Sequence, residues 1–197
     1  VGEAFGGTQV FTPRVQFVAT PPIKNLAIPN EDARAIDLED SNLFALNRFP
    51  GYDRVEDGAR VTYGFDWSLR IPDWELKTNV GQSYRLDSDR DILPVGTGLS
   101  ERFSDFVGRT EVRYKNFLKF THRFRLDKDD FTPRRTEVDA TIGSRRTYAE
   151  IGYLRLDRNI PNINEDLGDR EELRAAGRVA FARYWSLFGS AVVKMTN

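Results

Sequence analysis

From Val61 to Leu69 the chain alternates strictly, with Val61, Tyr63, Phe65, Trp67 and Leu69 on one side and Thr62, Gly64, Asp66 and Ser68 on the other. Successive side chains of a strand point to opposite faces, so this alternation predicts a strand with one oily and one polar face. The same pattern predicts strands over Gln9–Thr20, Ala59–Arg70, Trp74–Tyr84, Phe103–Tyr114, Leu118–Asp127, Arg134–Gly143, Arg146–Asp157, Glu172–Ala182 and Ser186–Thr196. About nine strands of roughly ten to twelve residues result, longer than the five or six common in soluble sheets. That is the length a tilted strand needs to cross a bilayer.

The predicted connections alternate between tight and long. "RIPD" (Arg70 to Asp73), "KNF" (Lys115 to Phe117), "SR" (Ser144, Arg145) and "RYW" (Arg183 to Trp185) are tight. Pro21 to Gly58, Arg85 to Arg102, Lys128 to Pro133 and Arg158 to Glu171 are longer and polar. An up-and-down sheet then carries all its tight turns at one end and all its long loops at the other, as outer-membrane barrels do.

Pairing strands across the tight turns tests whether the faces match. Leu69 is expected opposite Trp74, Tyr114 opposite Leu118, Ala140 opposite Ala149 and Phe181 opposite Leu187, which joins the apolar positions into one face. Leu154 and Leu156 break parity with Ile151 and Tyr153, which predicts a bulge in that strand. The opposite face carries both signs of charge, with Arg109, Arg113, Arg123, Arg125 and Arg135 beside Glu111, Glu137 and Asp139. Such a face suits an aqueous lumen; a soluble sheet with its oily side on a core is the competing reading. Trp67, Trp74, Tyr114, Phe117, Tyr184 and Trp185 gather near the tight turns, and Tyr63, Tyr84, Phe103, Phe106 and Phe124 near the long loops. Two aromatic belts favour the membrane reading. The fold class is therefore all-β, an antiparallel up-and-down transmembrane β-barrel of which this chain supplies about nine strands.

Composition agrees and narrows the function. The 197 residues hold 29 basic and 30 acidic side chains, a net charge of -1, which gives nucleic acid no purchase. There is no cysteine, hence no disulfide or thiolate metal site in this stretch. No signal core opens the chain and both ends interrupt a pattern, so a piece of a longer protein is expected. The single histidine, His122, falls on the apolar row, no nucleophile is placed to work with it, and no enzyme activity is expected. The acidic clusters "DSDRD" (Asp87 to Asp91) and "DKDD" (Asp127 to Asp130) lack the spacing of a calcium loop and read as solvated. No catalytic, metal or cofactor residue is predicted.

The segment "NLFALNRFPGYDRVEDGARVTYG" is the most specific part of the sequence. It resembles the "N-F-x-x-x-x-R-F-x-G-x-D-R-V-E-D" stretch of the LptD family of lipopolysaccharide-assembly proteins, at Asn42, Phe44, Arg48, Phe49, Gly51, Asp53, Arg54, Val55, Glu56 and Asp57. "TPRVQF", "FSDFVGRTEVRY", "DFTPRRTEVDATIG" and "RTYAEIGYLRLDRN" are similar to neighbouring strands of the family, in the style of its alphaproteobacterial members. The resemblance implies a partial barrel domain over residues 1–197, with residues 21–58 as a long external loop, in the outer membrane of a Gram-negative bacterium. It implies lipopolysaccharide as cargo, an LptE-like lipoprotein plug in the lumen, outer-membrane lipids around the wall, and a periplasmic Lpt bridge reached through an N-terminal domain that this sequence lacks. On this view the motif loop folds back toward the lumen and seats the plug. The basic wall, Arg109, Arg113, Arg123, Arg125 and Arg135, then meets lipopolysaccharide phosphates or acids of the plug, unless it pairs with the wall's own carboxylates. A general porin or ligand-gated uptake barrel is the alternative; general porins lack the "RFPGYDRVED" loop.

Overall fold

In a computed structural model, residues 1–21, 36–49, 54–87, 93, 96–157 and 169–195 are described. Ten strands form one antiparallel sheet in chain order: β1 (Gly2–Ala4), β2 (Gly7–Thr20), β3 (Gly58–Ile71), β4 (Trp74–Arg85), β5 (Phe106–Tyr114), β6 (Leu118–Leu126), β7 (Pro133–Gly143), β8 (Tyr148–Leu156), β9 (Arg170–Ala180) and β10 (Ser186–Lys194). The expected up-and-down order is borne out. β1 and β10 have no strand on their outer sides among the described residues, so the sheet is open.

The tenth strand is β1, which turns into β2 through Phe5 and Gly6, both at positive φ (53° and 73°). Its three residues are too few for a periodic signal. Every turn of the β1–β2, β3–β4, β5–β6, β7–β8 and β9–β10 hairpins lies at one end of the sheet, and the longer connections lie at the other.

Register departs from expectation at three hairpins. Leu69 faces Leu76 rather than Trp74, Ala140 faces Ile151 rather than Ala149, and Leu187 faces Val179 rather than Phe181. Each slip is two residues, because β3 runs on to Ile71 and turns on Pro72 and Asp73 (φ 69°), while the β7–β8 and β9–β10 connections are longer than the sequence pattern implies. An even slip leaves every side chain on its face, so the face assignment survives. The Tyr114–Leu118 pairing is as expected.

Two further corrections concern local geometry. β8 runs unbroken from Tyr148 to Leu156, with Leu154 and Leu156 simply on the polar face, and the irregularity lies instead between Arg125 and Leu126. Phe103 is not part of β5. It makes a single bridge to Tyr84, after which the Asp105 N–H turns aside to donate to the Gly98 carbonyl at 3.0 Å.

The distribution of burial is inverted relative to a soluble sheet. Val15, Ile151 and Leu187, all on the apolar face, are 77%, 56% and 71% exposed, and among the described residues no second layer covers them. Arg60, Thr62 and Arg125, on the polar face, are 3%, 0% and 1% exposed. Across β5 to β8 the apolar face is continuous: Val112 to Phe120, Ala140 and Ile151 form one row, and Thr110 to His122, Val138 and Tyr153 the next. His122 therefore lies on the apolar face as predicted, its ring 5.6 Å from that of Phe124. Aromatic contacts mark both ends of this face, with Trp74 on Tyr114 at 4.7 Å near the turns and Tyr84 on Phe103 at 4.6 Å near the loops.

Candidate functional site

Toward the loop end of the sheet, the β2–β3 connection folds over the polar face. Residues 36–49 and 54–57 carry their own apolar knot, in which Ile36, Leu38, Leu43 and Phe49 pack with Leu93 and Leu99 of the β4–β5 connection and Val107 of β5. Val107 is the wall's contribution, placed on the polar face opposite Gly81 and Arg125. Phe44 packs beside the knot, with the Arg14 guanidinium 5.6 Å from its ring centre. Burying these side chains offsets part of the cost of ordering a long connection.

Polar groups then fasten the knot. The Arg48 guanidinium grips Glu56 through both carboxylate oxygens, Nε at 2.7 Å, and Arg60 of β3 reaches the same carboxylate at 3.1 Å. All three side chains are almost wholly removed from solvent. Arg60 also donates to the carbonyls of Ala45 and Leu46 at 2.6 and 2.8 Å, which ties the loop to the wall. Asn47 holds the two halves of the loop together: its Oδ1 accepts from the N–H of Phe49 and Glu56, and its Nδ2 donates to the Arg54 carbonyl at 3.0 Å. Asn42 closes the preceding turn, donating to the Asp37 carbonyl at 2.7 Å and accepting from the Glu39 N–H.

A second fastening joins an acidic segment to three wall arginines. Arg125 pairs with Asp37 and donates to the carbonyls of Thr97 and Gly96. Arg135 meets Glu39 at 2.7 Å, Glu137 at 3.0 Å and Asp37 at 3.4 Å; Arg123 meets Glu137 at 3.0 Å and Asp40 at 3.9 Å. Burial pushes the Asp40 carboxyl above its ordinary range against the pull of Arg123, and Asp105 rises for the same cause against the pull of Arg125. Arg109 and Arg113 both turn to Glu111, at 2.7 Å each.

The family model of LptD, described as LPS transport system D, matches residues 2–185. The chain belongs to the LptD family. It is 30% identical over 117 residues to the LPS-assembly protein LptD of Polaromonas sp., covering 58% of this chain and 14% of that protein. It is 25% identical over 186 residues to that of Nitrosococcus oceani, covering 92% and 24%, and 26% identical over 161 residues to that of Coxiella burnetii, covering 79% and 18%. The chain thus spans at most a quarter of the length of these LptD relatives.

Most of the LptD motif gathers in one place. Asn42, Phe44, Arg48, Phe49, Arg54, Glu56 and Asp57 all lie in the loop on the polar face, Arg54 through its carbonyl; Gly51 and Asp53 lie outside the described residues. The wall arginines face the same side; Arg109 and Arg113 pair with Glu111 and Arg123 and Arg135 with Glu137 of the wall, whereas Arg125 pairs with Asp37 and Asp105 of the connections rather than with a wall carboxylate. Sequence reasoning missed Asn47, Arg60 and the Asp37–Asp40 acids. It also took Asp87 as solvated, whereas its carboxylate caps the Ala59 N–H where β3 begins. Glycine marks this entry too, since Gly58 sits at φ 91°. Nothing local singled out Asn47, which stands between Leu46 and Arg48.

Gly81 shows how closely loop and wall fit. A Cβ there would lie 2.5 Å from Cδ2 of Leu43 and 2.8 Å from the Tyr63 carbonyl oxygen. Gly81→Val is therefore expected to lift Leu43 out of the knot and destabilise the seated loop by about 1 to 3 kcal/mol. Limited proteolysis of the full-length protein should then cut within residues 36–57 while the strands stay resistant.

The short β6–β7 connection is set by its acids. The Asp129 N–H holds Asp127 below the ordinary carboxylate range, and the Thr132 N–H does the same for Asp130, with Arg134 adding to both. A carboxylate depressed in the folded state stabilises above its unfolded value and loses that contribution as pH falls through the folded one. Carboxyl chemical shifts of Asp127 and Asp130 should accordingly titrate below about 3.9, with the turn loosening only in that range.

Proposed function

We propose that this chain is a section of the wall, together with one inward-folded loop, of an outer-membrane β-barrel that delivers lipopolysaccharide to the outer leaflet. The observation that carries this reading is the burial pattern: among the described residues no second layer covers the oily face of the sheet, and the loop-end part of its charged face is covered by a loop bearing the LptD motif. Acyl chains solvate the oily face, and the charged face borders an aqueous lumen. The domain is then a partial barrel over residues 1–197, with residues 21–58 as the long external loop.

In this reading the loop does two things. Its apolar knot and buried ion pairs narrow a lumen that would otherwise leak, and its outer surface, around Leu46 and Arg54, forms part of the seat for an LptE-like lipoprotein plug. The work is passage and gating without covalent chemistry. The cargo arrives over a periplasmic Lpt bridge that docks on a domain outside this sequence, and outer-membrane lipids surround the wall.

Depletion of the full-length protein in living cells tests this directly. Surface lipopolysaccharide labelled by an impermeant reagent should fall on depletion and return with the wild-type gene. If surface label stays constant while small-solute uptake falls, the uptake-barrel reading replaces this one. A photoreactive residue at Arg54 should crosslink to a lipoprotein, and one at Val15 to lipid; crosslinks from Val15 to another protein layer would remove the membrane assignment.

A further inference from the structure

Three arginines on adjacent strands, Arg123 and Arg125 of β6 and Arg135 of β7, line one patch of the polar face. Their partners are of two kinds. Arg123 and Arg135 share Glu137 of the wall itself. Arg125 has no wall carboxylate among its described partners: Asp37, Asp105 and the carbonyls of Gly96 and Thr97 all come from the connections folded over it. It is 1% exposed, and its Nε lacks a hydrogen-bond acceptor, the Asp105 carboxylate standing 3.4 Å away. A guanidinium so deeply desolvated has to be met by negative charge.

That charge is supplied by a compact acidic run, Asp37, Glu39 and Asp40, with Asp37 touching both Arg125 and Arg135. Several oxygens presented to three guanidinium groups is also how a phosphate is held. The run grips unevenly. Asp40 stands 3.9 Å from Arg123, and its burial outweighs the attraction of the arginines around it. Glu39 is one-third exposed.

We infer that Asp37, Glu39 and Asp40 are an internal stand-in for an anionic ligand, latching the loop onto an arginine site that a phosphate-bearing lipid headgroup takes over when it displaces them. The inference rests on the proposed delivery of lipopolysaccharide for the lipid nature of the ligand, and on the ion-pair geometry for the site. The loop is the two-state element: seated, its acids neutralise the arginines; displaced, it uncovers Val107 and the knot, and phosphates replace the carboxylates.

Val107 supplies the reporter, being 1% exposed and packed in the knot. In the full-length protein in detergent, Val107→Cys is labelled with a water-soluble maleimide and the rate is read on that peptide by mass spectrometry. Mixed micelles containing a bis-phosphorylated glycolipid should accelerate labelling about five- to a hundredfold over matched sodium chloride. Inorganic phosphate at the same phosphate concentration separates the sources: acceleration by glycolipid alone assigns a lipid headgroup, and acceleration by both assigns phosphate itself. The added pair Asp37→Asn and Asp40→Asn should label fast with neither present. Equal acceleration by chloride, or none by either phosphate probe, overturns the inference whatever the double variant does, while surface labelling in cells continues to test the delivery reading separately. Slow labelling of the double variant overturns it as well, since the acids would then not be the latch.

Discussion

Glu56→Gln is expected to destabilise the seated loop by about 3 to 5 kcal/mol, the cost of stripping a buried carboxylate from its partners. Glu56 answers two guanidinium groups, Arg48 at one edge and Arg60 at the other. With a neutral amide in its place, two buried cations face each other across a group that offsets neither charge. Arg48→Met should be milder, about 1 to 3 kcal/mol, because the Glu56–Arg60 pair survives and only the two bonds to Arg48 are lost. The order of the two variants is the discriminating measurement. Urea titration of the full-length protein in detergent, followed by protease cleavage within residues 36–57, reads it. If Arg48→Met proves the costlier, Arg48 rather than Glu56 is the hub of the cluster.

The contrast between the Glu56 cluster and the Asp37–Asp40 run gives the loop its character. One end is fastened by a buried network of Arg48, Glu56 and Arg60 in which Nη1 of Arg48 and Nε of Arg60 have no acceptor among the described residues, with Asn47 bonding across the loop and Arg60 anchoring it to β3. The other end is fastened to the wall unevenly: Asp37 holds the buried Arg125, while Asp40 stands 3.9 Å from Arg123 and the Glu39 that meets Arg135 at 2.7 Å is one-third exposed. The Asp40 and Glu39 contacts are the more solvated or more distant ones of this end, so opening begins with them. A loop hinged at its C-terminal end, next to Gly58, is the motion such a distribution favours.

How much of this was legible in the sequence follows from which forces act at which range. Strand existence and facing were legible because alternation is a local, repeated signal, and a two-residue slip at Leu69, Ala140 or Leu187 does not alter it. Register was not, because it depends on whether residues such as Ile71 or Thr147 extend a strand or join a turn. The bulge was misplaced for a related reason. Leu154 and Leu156 look like a parity fault only if every apolar residue must face outward, and Leu156 is instead buried on the polar side. The described motif residues lie in the loop that packs on the polar face, yet pairings such as Arg125 with Asp37, 88 positions apart, have no local trace. Charge counts on the wall could name the arginines but not their partners.

The facing itself is tested by Phe65→Arg. Phe65 lies midway along β3, between Pro13 of β2 and Val80 of β4 and against the ring of Phe11 at 5.3 Å. If acyl chains surround it, a guanidinium there must be hydrated within the hydrocarbon layer, at about 2 to 4 kcal/mol near the midplane and much less toward either interface. The neighbouring Asp66 points to the other face, where it pairs with Arg14 at 2.6 Å, and both groups are partly exposed. Asp66→Asn removes only that screened pair and should cost about 1 kcal/mol or less. Unfolding of the full-length protein from lipid vesicles compares the two. A large loss for Phe65→Arg beside a small one for Asp66→Asn fits lipid outside and water inside. Repeating the pair in thinner bilayers sharpens the result, since snorkelling brings the guanidinium closer to water and the Phe65→Arg penalty should shrink while the Asp66→Asn value stays unchanged.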